Sequence, residues 1–303
     1  MSNRWQISML FPLLFAVGCA SGPDDDGGAV SESIGEPSRA EYKLWWTAFA
    51  RAEPEWPDYR ELWLSSGPRA RDRLMAGLLA TLVKGNQADD GTGQRAPLWK
   101  RCGSEFRYFG SDGIRPLREA VRVHVDQKVV EWVSVDRLLR TLAAVADADE
   151  VTQLLEGADD NGRLRLATAK ALAEMENASA VDPLCELARE DDDWQVRAAA
   201  VVGLGRWAPL TGLGEPSAFS RDALVAALGD EDRYVRQCAC SALARVRMPG
   251  VQFALVDRLE RAGRQGDRDF AAALHDALKT NTHELSVPQD ANAWRLVLSG
   301  EDG

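Results

Sequence analysis

Four segments of this 303-residue chain repeat one pattern, and the spacing of that pattern limits the folds that the chain can adopt. Each segment begins with Asp or Asn, carries an apolar residue three positions later, and has a small residue followed by Leu seven and eight positions after that. The segments begin at Asn161, Asp193, Asp232 and Asp267, so the intervals are 32, 39 and 35 residues. Self-similarity at this period is typical of stacked supersecondary units, and it predicts a solenoid.

Each unit is expected to be a pair of helices. The Asp or Asn at its start suits an N-cap, because its side chain can accept a backbone N–H that the helix leaves without a partner. Apolar and small residues follow at helical spacing, and after a short break a second helical run begins, as in residues 181–188 and 251–259. Weaker copies upstream extend the pattern to about five pairs or partial pairs over residues 113–280. One pair cannot bury its apolar face alone, but stacked pairs can.

The segments 193–205 and 232–243 resemble HEAT repeats, and are most similar to the short bacterial type first described in phycobilin lyase subunits. The resemblance covers residues 130–280. It implies an all-α, right-handed α-solenoid of about five helix pairs, with the second helix of each pair lining the concave side. Ala271 stands where the other units have Arg, and degenerate end units are typical of capping repeats.

The recurring Arg admits two interpretations. Arg165, Arg197 and Arg236 would form a ladder along one surface, where they could bind a partner or could each pair with an acidic or carbonyl group of the neighbouring unit. Recurrence within the fold pattern favours the structural interpretation. We therefore expect a structural role for seven repeat positions, namely Asn161, Arg165, Asp193, Arg197, Asp232, Arg236 and Asp267.

Six other residues are candidates for binding a partner. Trp194 and Tyr234 lie at helix starts, where they can be exposed anchors or can pack against the preceding unit, which is the commoner arrangement. The remaining candidates are charged residues of the second helices: Glu186, Arg189, Asp257 and Arg258.

The charge distribution narrows the class of partner. The formal net charge is −11, but residues 39–122 carry 15 Lys and Arg against 11 Asp and Glu, whereas residues 123–303 carry 20 against 31. A surface that neutralises phosphates needs a basic stripe, so binding of nucleic acid by the solenoid is not expected. An acidic solenoid is suited to a basic protein partner. The sequence does not indicate an oligomeric state.

Residues 1–18 are expected to be a signal peptide rather than part of the fold. The apolar stretch 7–18 is too short to span a bilayer, which needs about 20 residues, and it suits a signal-peptide core. It ends in Ala-Val-Gly-Cys, which resembles a bacterial lipobox and implies lipidation of Cys19. An ordinary secretory signal with an incidental Cys is the alternative. These features predict an exported protein that is lipid-anchored in the bacterial envelope, with Ala20 favouring the outer membrane, facing the periplasm.

The rest of the chain divides into four parts. Residues 19–39 form an acidic tether rich in Gly, Ser and Pro, which predicts disorder. Residues 40–112 are a helical N-terminal region with five of the ten Trp residues, residues 113–283 are the repeat solenoid, and residues 284–303 are a C-terminal tail or cap. The Trp cluster could be a ligand pocket, although such clusters are more often the core of a capping element.

No catalytic constellation is recognisable in the sequence. None of His124, His275 and His283 lies at metal-ligand spacing to another His or to a Cys. Cys238 and Cys240 are two residues apart on a helix and therefore point in different directions. We expect a non-catalytic protein–protein interaction scaffold without a metal or cofactor. Two alternatives remain: a lyase-like enzyme subunit, by analogy with the bilin lyases, and a small-ligand binder that uses the Trp-rich region.

Overall fold

The computed structural model describes six stretches of the chain, which are residues 37–84, 98–127, 131–158, 160–209, 215–247 and 249–300. These stretches consist of helices joined by turns, and they contain no β-strand. The predicted signal peptide, Cys19 and most of the predicted tether lie outside the described residues. None of the helices within these ranges combines the length and the apolar character needed to cross a membrane.

Fifteen α-helices run through the described ranges, with two short 3-10 helices at Phe106–Phe109 and Ala178–Ala180. Their bounds are α1 (Arg39–Arg51), α2 (Trp56–Ser65), α3 (Pro68–Lys84), α4 (Leu98–Glu105), α5 (Ser111–Val125), α6 (Trp132–Ala143), α7 (Ala148–Thr152), α8 (Gly162–Glu174), α9 (Val181–Glu190), α10 (Trp194–Leu204), α11 (Glu215–Ala227), α12 (Arg233–Leu243), α13 (Pro249–Gln265), α14 (Arg268–Thr282) and α15 (Ala291–Ser299).

The helices stack in two layers. The first helices of the units, from α6 through α8, α10 and α12 to α14, each pack on the next one in the series. The second helices α9, α11, α13 and α15 form the other layer, in which each packs on the next. Helices α9, α11 and α13 also pack on α10, α12 and α14, which are the first helices of the following units. A continuous apolar core runs between the layers from Tyr42 to Trp294. The prediction of an all-α solenoid is confirmed.

Local sequence explains where the first helices begin. Each residue that opens a repeat lies at an N-cap and accepts a backbone N–H of its own helix with its side chain. The pairs are Asn161 with Leu164, Asp193 with Gln195, Asp232 with Tyr234 and Val235, and Asp267 with Phe270. The first buried residue of each helix follows three positions after the cap.

Small residues let the first helices approach closely. A Cβ added to Gly203 of α10 would lie 2.7 Å from the Cβ of Ala173 on α8. A Cβ on Gly205, which follows α10, would lie 2.9 Å from the Cβ of Ala242 on α12. Real Cβ atoms do not approach so closely, so these two glycines set the spacing between successive units.

Both ends of the solenoid are covered by large aromatic residues. At the N-terminal end, α3 packs on α4 and α6 and so joins the aromatic core of α1–α3 to the repeats. At the C-terminal end, α15 packs on α13 and places Trp294 at 0% exposure beneath it, beside the ring of His275. Arg295 also bonds to Asp257 and Glu260 of α13, at 2.9 and 2.6 Å. Helix α15 therefore covers the C-terminal end of the repeats, where its Trp294 contacts α14.

Candidate protein-binding surface

The repeated arginines join successive units through ion pairs. Arg197 donates from Nε and Nη2 to the two carboxylate oxygens of Asp230, at 2.8 and 3.0 Å. Its Nη1 donates to the backbone carbonyls of Asp191 and Asp192, at 2.8 and 3.2 Å. The corresponding pairs in the neighbouring units are Arg165 with Asp191 at 2.8 Å and Arg236 with Asp267 at 3.3 Å.

Each of these carboxylates also holds the start of the next unit. Asp191 accepts the backbone N–H of Asp193 at 2.9 Å, and Asp230 accepts that of Asp232 at 2.8 Å. The hydrogen-bonded carboxylate of Asp230 raises the pKa of the Arg197 guanidinium above its ordinary value. The arginines are thus engaged within the protein, as the structural interpretation expects, and they do not present a free cationic ladder.

The sequence interpretation missed the acidic partners Asp191 and Asp230. A signal was present, since each stands two residues before an N-cap in an Asp-x-Asp arrangement. In the last unit Gln265 occupies that place, and Arg236 binds the N-cap Asp267 instead.

Trp194 and Tyr234 are exposed, by 40% and 55%, and the structure differs here from the commoner packed arrangement. Trp194 is the first residue of α10 and Tyr234 is the second residue of α12, and each precedes the first buried residue of its helix, Val196 or Val235. The two rings contact each other edge to face, with centroids 5.6 Å apart. This contact spans the junction between two successive units.

Acidic side chains surround the aromatic pair. The turns that precede α10 and α12 read Glu-Asp-Asp-Asp (190–193) and Asp-Glu-Asp (230–232). Asp191 and Asp230 form ion pairs with arginines, whereas Asp192 is exposed. Glu231 contacts Arg197 through one oxygen at 3.3 Å, but its side chain is 86% exposed. We call Trp194, Tyr234, Asp192 and Glu231 the aromatic edge. It offers ring faces that attract cations, together with carboxylates that can pair with them.

The four charged candidates of the second helices do not form one site. Glu186 and Arg189 are exposed on α9, and α11 lies between them and the candidates on α13. Asp257 is committed to Arg295 of α15. Arg258 is half-buried against Gly229, and burial, with the charge of Arg261 nearby, lowers the pKa of its guanidinium.

The N-terminal aromatic cluster is packed as a core. Tyr42, Trp45, Phe49, Trp56 and Trp63 are all buried, and neighbouring rings fill the space around each one. The Trp45 and Trp63 centroids lie 5.6 Å apart, and those of Phe49 and Trp56 lie 4.8 Å apart. The indole Nε1 of Trp63 donates to the carbonyl of Ala70 at 2.8 Å. These contacts favour the capping-core interpretation of the cluster.

The buried thiols of Cys102, Cys185 and Cys240 are in environments that suppress reactivity. Burial raises the pKa of the Cys102 and Cys240 thiols to about 12 and that of Cys185 to about 11. A catalytic thiol needs the opposite shift. His275 is held by Trp294 and by the carbonyl of Val287 at 2.9 Å. Within the described ranges, no group of three or more His, Cys, Asp or Glu side chains could hold a metal ion.

Stacked helix pairs define an α-solenoid, a fold that typically serves as a protein-interaction scaffold and is typically non-catalytic. The family model for HEAT repeats matches residues 136–205 and 190–274. The helical repeats of residues 136–274 are therefore HEAT repeats. No curated protein matches it.

Two solved structures of designed proteins are similar to this chain. One is a designed armadillo repeat protein in complex with the peptide (KR)4, with 17% sequence identity, a TM-score of 0.36, and coverage of 68% of this chain and 98% of that chain. The other is a computationally designed armadillo repeat protein for modular peptide recognition, with 16% identity, a TM-score of 0.34, and coverage of 68% and 99%. These TM-scores are too low for either likeness to support a functional conclusion.

Proposed function

We propose that this protein is a non-catalytic scaffold that binds a basic segment of a protein partner at the aromatic edge. The observation that carries the proposal is the contact between Trp194 and Tyr234, which stay exposed although they touch across two units. Trp and Tyr are the residues most enriched among interface positions that dominate binding energy. An edge-to-face pair is also ordered before binding, so less side-chain entropy is lost when a partner docks.

The charges at this edge select the partner. A Lys or Arg side chain laid over the Trp194 ring gains a cation–π interaction of about 0.5–2 kcal/mol. Asp192 is exposed in the turn before α10. Glu231 contacts Arg197 but keeps 86% of its side chain exposed in the turn before α12, so both carboxylates can pair with further cations of the same segment. The excess of acidic residues in 123–303 would speed the approach of a basic partner and would make binding sensitive to salt.

The proposal places this scaffold at a membrane through a lipid on Cys19, exported and held in the bacterial envelope, with its repeats facing the periplasm from the outer membrane. The support is the sequence: the apolar stretch 7–18, the lipobox-like residues that end in Cys19, and an acidic tether of about 20 residues. A tether of that composition gives the solenoid a reach of roughly 25 Å from the anchor.

The test is site-specific photocrosslinking of the full-length protein in cells. A photoreactive residue replaces Gln195, which is exposed between Trp194 and the first buried residue of α10, and a second version carries it at Phe253 on α13 as a control. We expect an adduct from position 195 only, lost when Trp194→Ala is added, whose crosslinked partner peptide contains Lys or Arg. Equal adducts from both positions, or partner peptides without basic residues, would contradict the proposed edge.

The anchor is tested separately in the same cells. Cys19→Ala should move the protein from the membrane fraction to the soluble fraction, while an exposed-residue control such as Gln195→Ala should not. Mass spectrometry of the N-terminal peptide should show the lipid mass on Cys19. An unmodified Cys19 in membrane-associated protein would exclude the lipid anchor but would leave the aromatic edge to be judged by crosslinking.

A further inference from the structure

A groove with the opposite charge lies at the other end of the repeats, between α4 and α6. It has a volume of about 340 Å³, within the range of small-molecule sites. Trp99, Gly103, Ala144 and Val145 provide apolar surface along it. The remaining lining residues are polar or charged: Lys100, Ser104, Arg107, Arg140, Thr141 and Glu174.

The cations of this groove differ in how they are paired. Arg140 bonds to Asp136 on its own helix at 3.0 Å and to Glu174 of α8 at 3.3 Å, so its charge is neutralised within the protein. Lys100 and Arg107 have no acidic partner among the described residues, and both are exposed at the rim. Two unneutralised cations on one rim give the groove a net attraction for anions.

Trp99 lies among these cations with its ring half-buried. The Lys100 ammonium is 5.6 Å from the ring centroid, and the guanidinium carbon of Arg137 is 5.4 Å from it. The Arg107 guanidinium donates from Nε to the carbonyl of Ser104 at 2.8 Å, and Arg107 lines the groove. A flat apolar surface therefore adjoins fixed positive charges.

We propose that this groove binds a small organic anion, with its charged group between Lys100 and Arg107 and its apolar or planar body against Trp99 and Val145. Arg binds carboxylates with paired donors, and Lys adds a point charge. The apolar body is required because a charged group alone would remain better solvated at an exposed rim. The site is independent of the aromatic edge, which lies on α10 and α12 and is acidic.

Three small molecules, each added to the full-length protein, test separately whether binding needs the negative charge and whether it needs the planar body. Benzoate carries both the charge and the planar body, acetate carries the charge alone, and benzamide carries the body without the charge. Saturation-transfer NMR measures the affinity of each probe. We expect saturable binding of benzoate, with acetate and benzamide each weaker by about three- to tenfold, the range for a charge-assisted contact at a partly exposed site.

Two variants and a matched control assign that binding to the groove. Lys100→Gln and Arg107→Gln should each weaken benzoate by about three- to tenfold and leave benzamide unchanged. Arg115→Gln removes an exposed cation from α5 and should change neither affinity. Since Lys100 and Arg107 are both exposed, thermal unfolding should show intact folding. The inference is overturned if benzoate does not saturate, if benzamide binds as tightly as benzoate, or if the groove variants bind benzoate like the wild-type protein.

Discussion

Arg197 and Asp230 lie 33 residues apart in the sequence and form a two-point ion pair at 2.8 and 3.0 Å. Their side chains are 7% and 9% exposed, so the pair is almost entirely shielded from water. The remaining donor of Arg197 binds the turn before its own helix, and the carboxylate of Asp230 binds the turn before α12. One pair of residues therefore fixes the positions of two successive units.

The first prediction concerns this pair. Asp230→Ala leaves the buried Arg197 charge with only the exposed Glu231 carboxylate at 3.3 Å, and breaking a buried pair in this way costs about 3–5 kcal/mol. The matched control is Asp269→Ala, which removes an exposed ion pair with Arg233 and should cost less than about 1 kcal/mol. Denaturant unfolding followed by circular dichroism measures both. Equal losses in the two variants would show that the pair at Arg197 contributes no more than a surface contact.

The second prediction concerns the spacing of the first helices. Gly203→Ala places a methyl group 2.7 Å from the Cβ of Ala173, and relieving that overlap should cost about 1–3 kcal/mol. Gly263→Ala on α13 is the control, because a Cβ there meets nothing within 4 Å. Ala is the better helix former by about 1 kcal/mol, so the control should stabilise the protein. The two substitutions should therefore shift the thermal midpoint in opposite directions, and a shared direction would contradict the close approach.

The third prediction concerns the aromatic edge. The full-length protein should bind a fluorescent peptide rich in Lys and Arg, measured by anisotropy, and affinity should fall as salt rises. Trp194→Ala should weaken binding by at least about tenfold, as expected of a dominant interface residue. It should change the free energy of unfolding by less than about 1 kcal/mol, because no fully buried contact is lost.

Phe253→Ala is the control for this experiment, since it removes a similarly exposed aromatic residue from the second-helix layer. It should leave peptide affinity unchanged. An acidic peptide of the same length should not bind at the edge. If Phe253→Ala weakened binding as much as Trp194→Ala, the peptide would be using the second helices and the proposed edge would be wrong.

The sequence was most informative where the determining interactions are local. An Asp that caps a helix acts within three residues, so Asp193 and Asp232 could be recognised from the pattern alone, and their period predicted the stacked helix pairs. The Asp-x-Asp spacing marks Asp191 and Asp230, but it does not identify their partners, which are 26 and 33 residues away, and an acid in an acidic turn resembles a solvated charge. Whether a residue is exposed at a helix start depends on tertiary packing.

The groove beside Trp99 is a second feature that could not be predicted from the sequence, because distant residues form it. Its walls come from α4 and from the end of α6, and no repeat or motif connects Trp99 with Val145 in the sequence. Its anion-attracting character depends on which cations are already neutralised. Arg140, Lys100 and Arg107 have the same formal charge, but only Arg140 is paired with acids in the folded protein among the residues described.

The fourth prediction concerns the buried thiols. Burial raises the pKa of the Cys102 and Cys240 thiols to about 12, well above the ordinary value of a cysteine. Because only the thiolate is nucleophilic, iodoacetamide at mildly alkaline pH should modify both residues far more slowly in the folded protein than in denaturant. The half-buried Cys238 should react before either of them. Mass spectrometry of timed digests measures the order, and early modification of Cys102 or Cys240 in the folded protein would contradict it.

Because of these raised pKa values, the free energy of unfolding should fall as the pH becomes alkaline. Between about pH 9 and pH 12 an unfolded chain loses these thiol protons while the folded chain keeps them. Ionisation therefore stabilises the unfolded state and not the folded state. The contribution of the thiols to stability is therefore complete below about pH 9 and declines as pH rises towards 12. Cys240→Ala should flatten this decline in denaturant unfolding measured at several pH values. An unchanged slope in Cys240→Ala would show that other groups dominate the alkaline loss of stability.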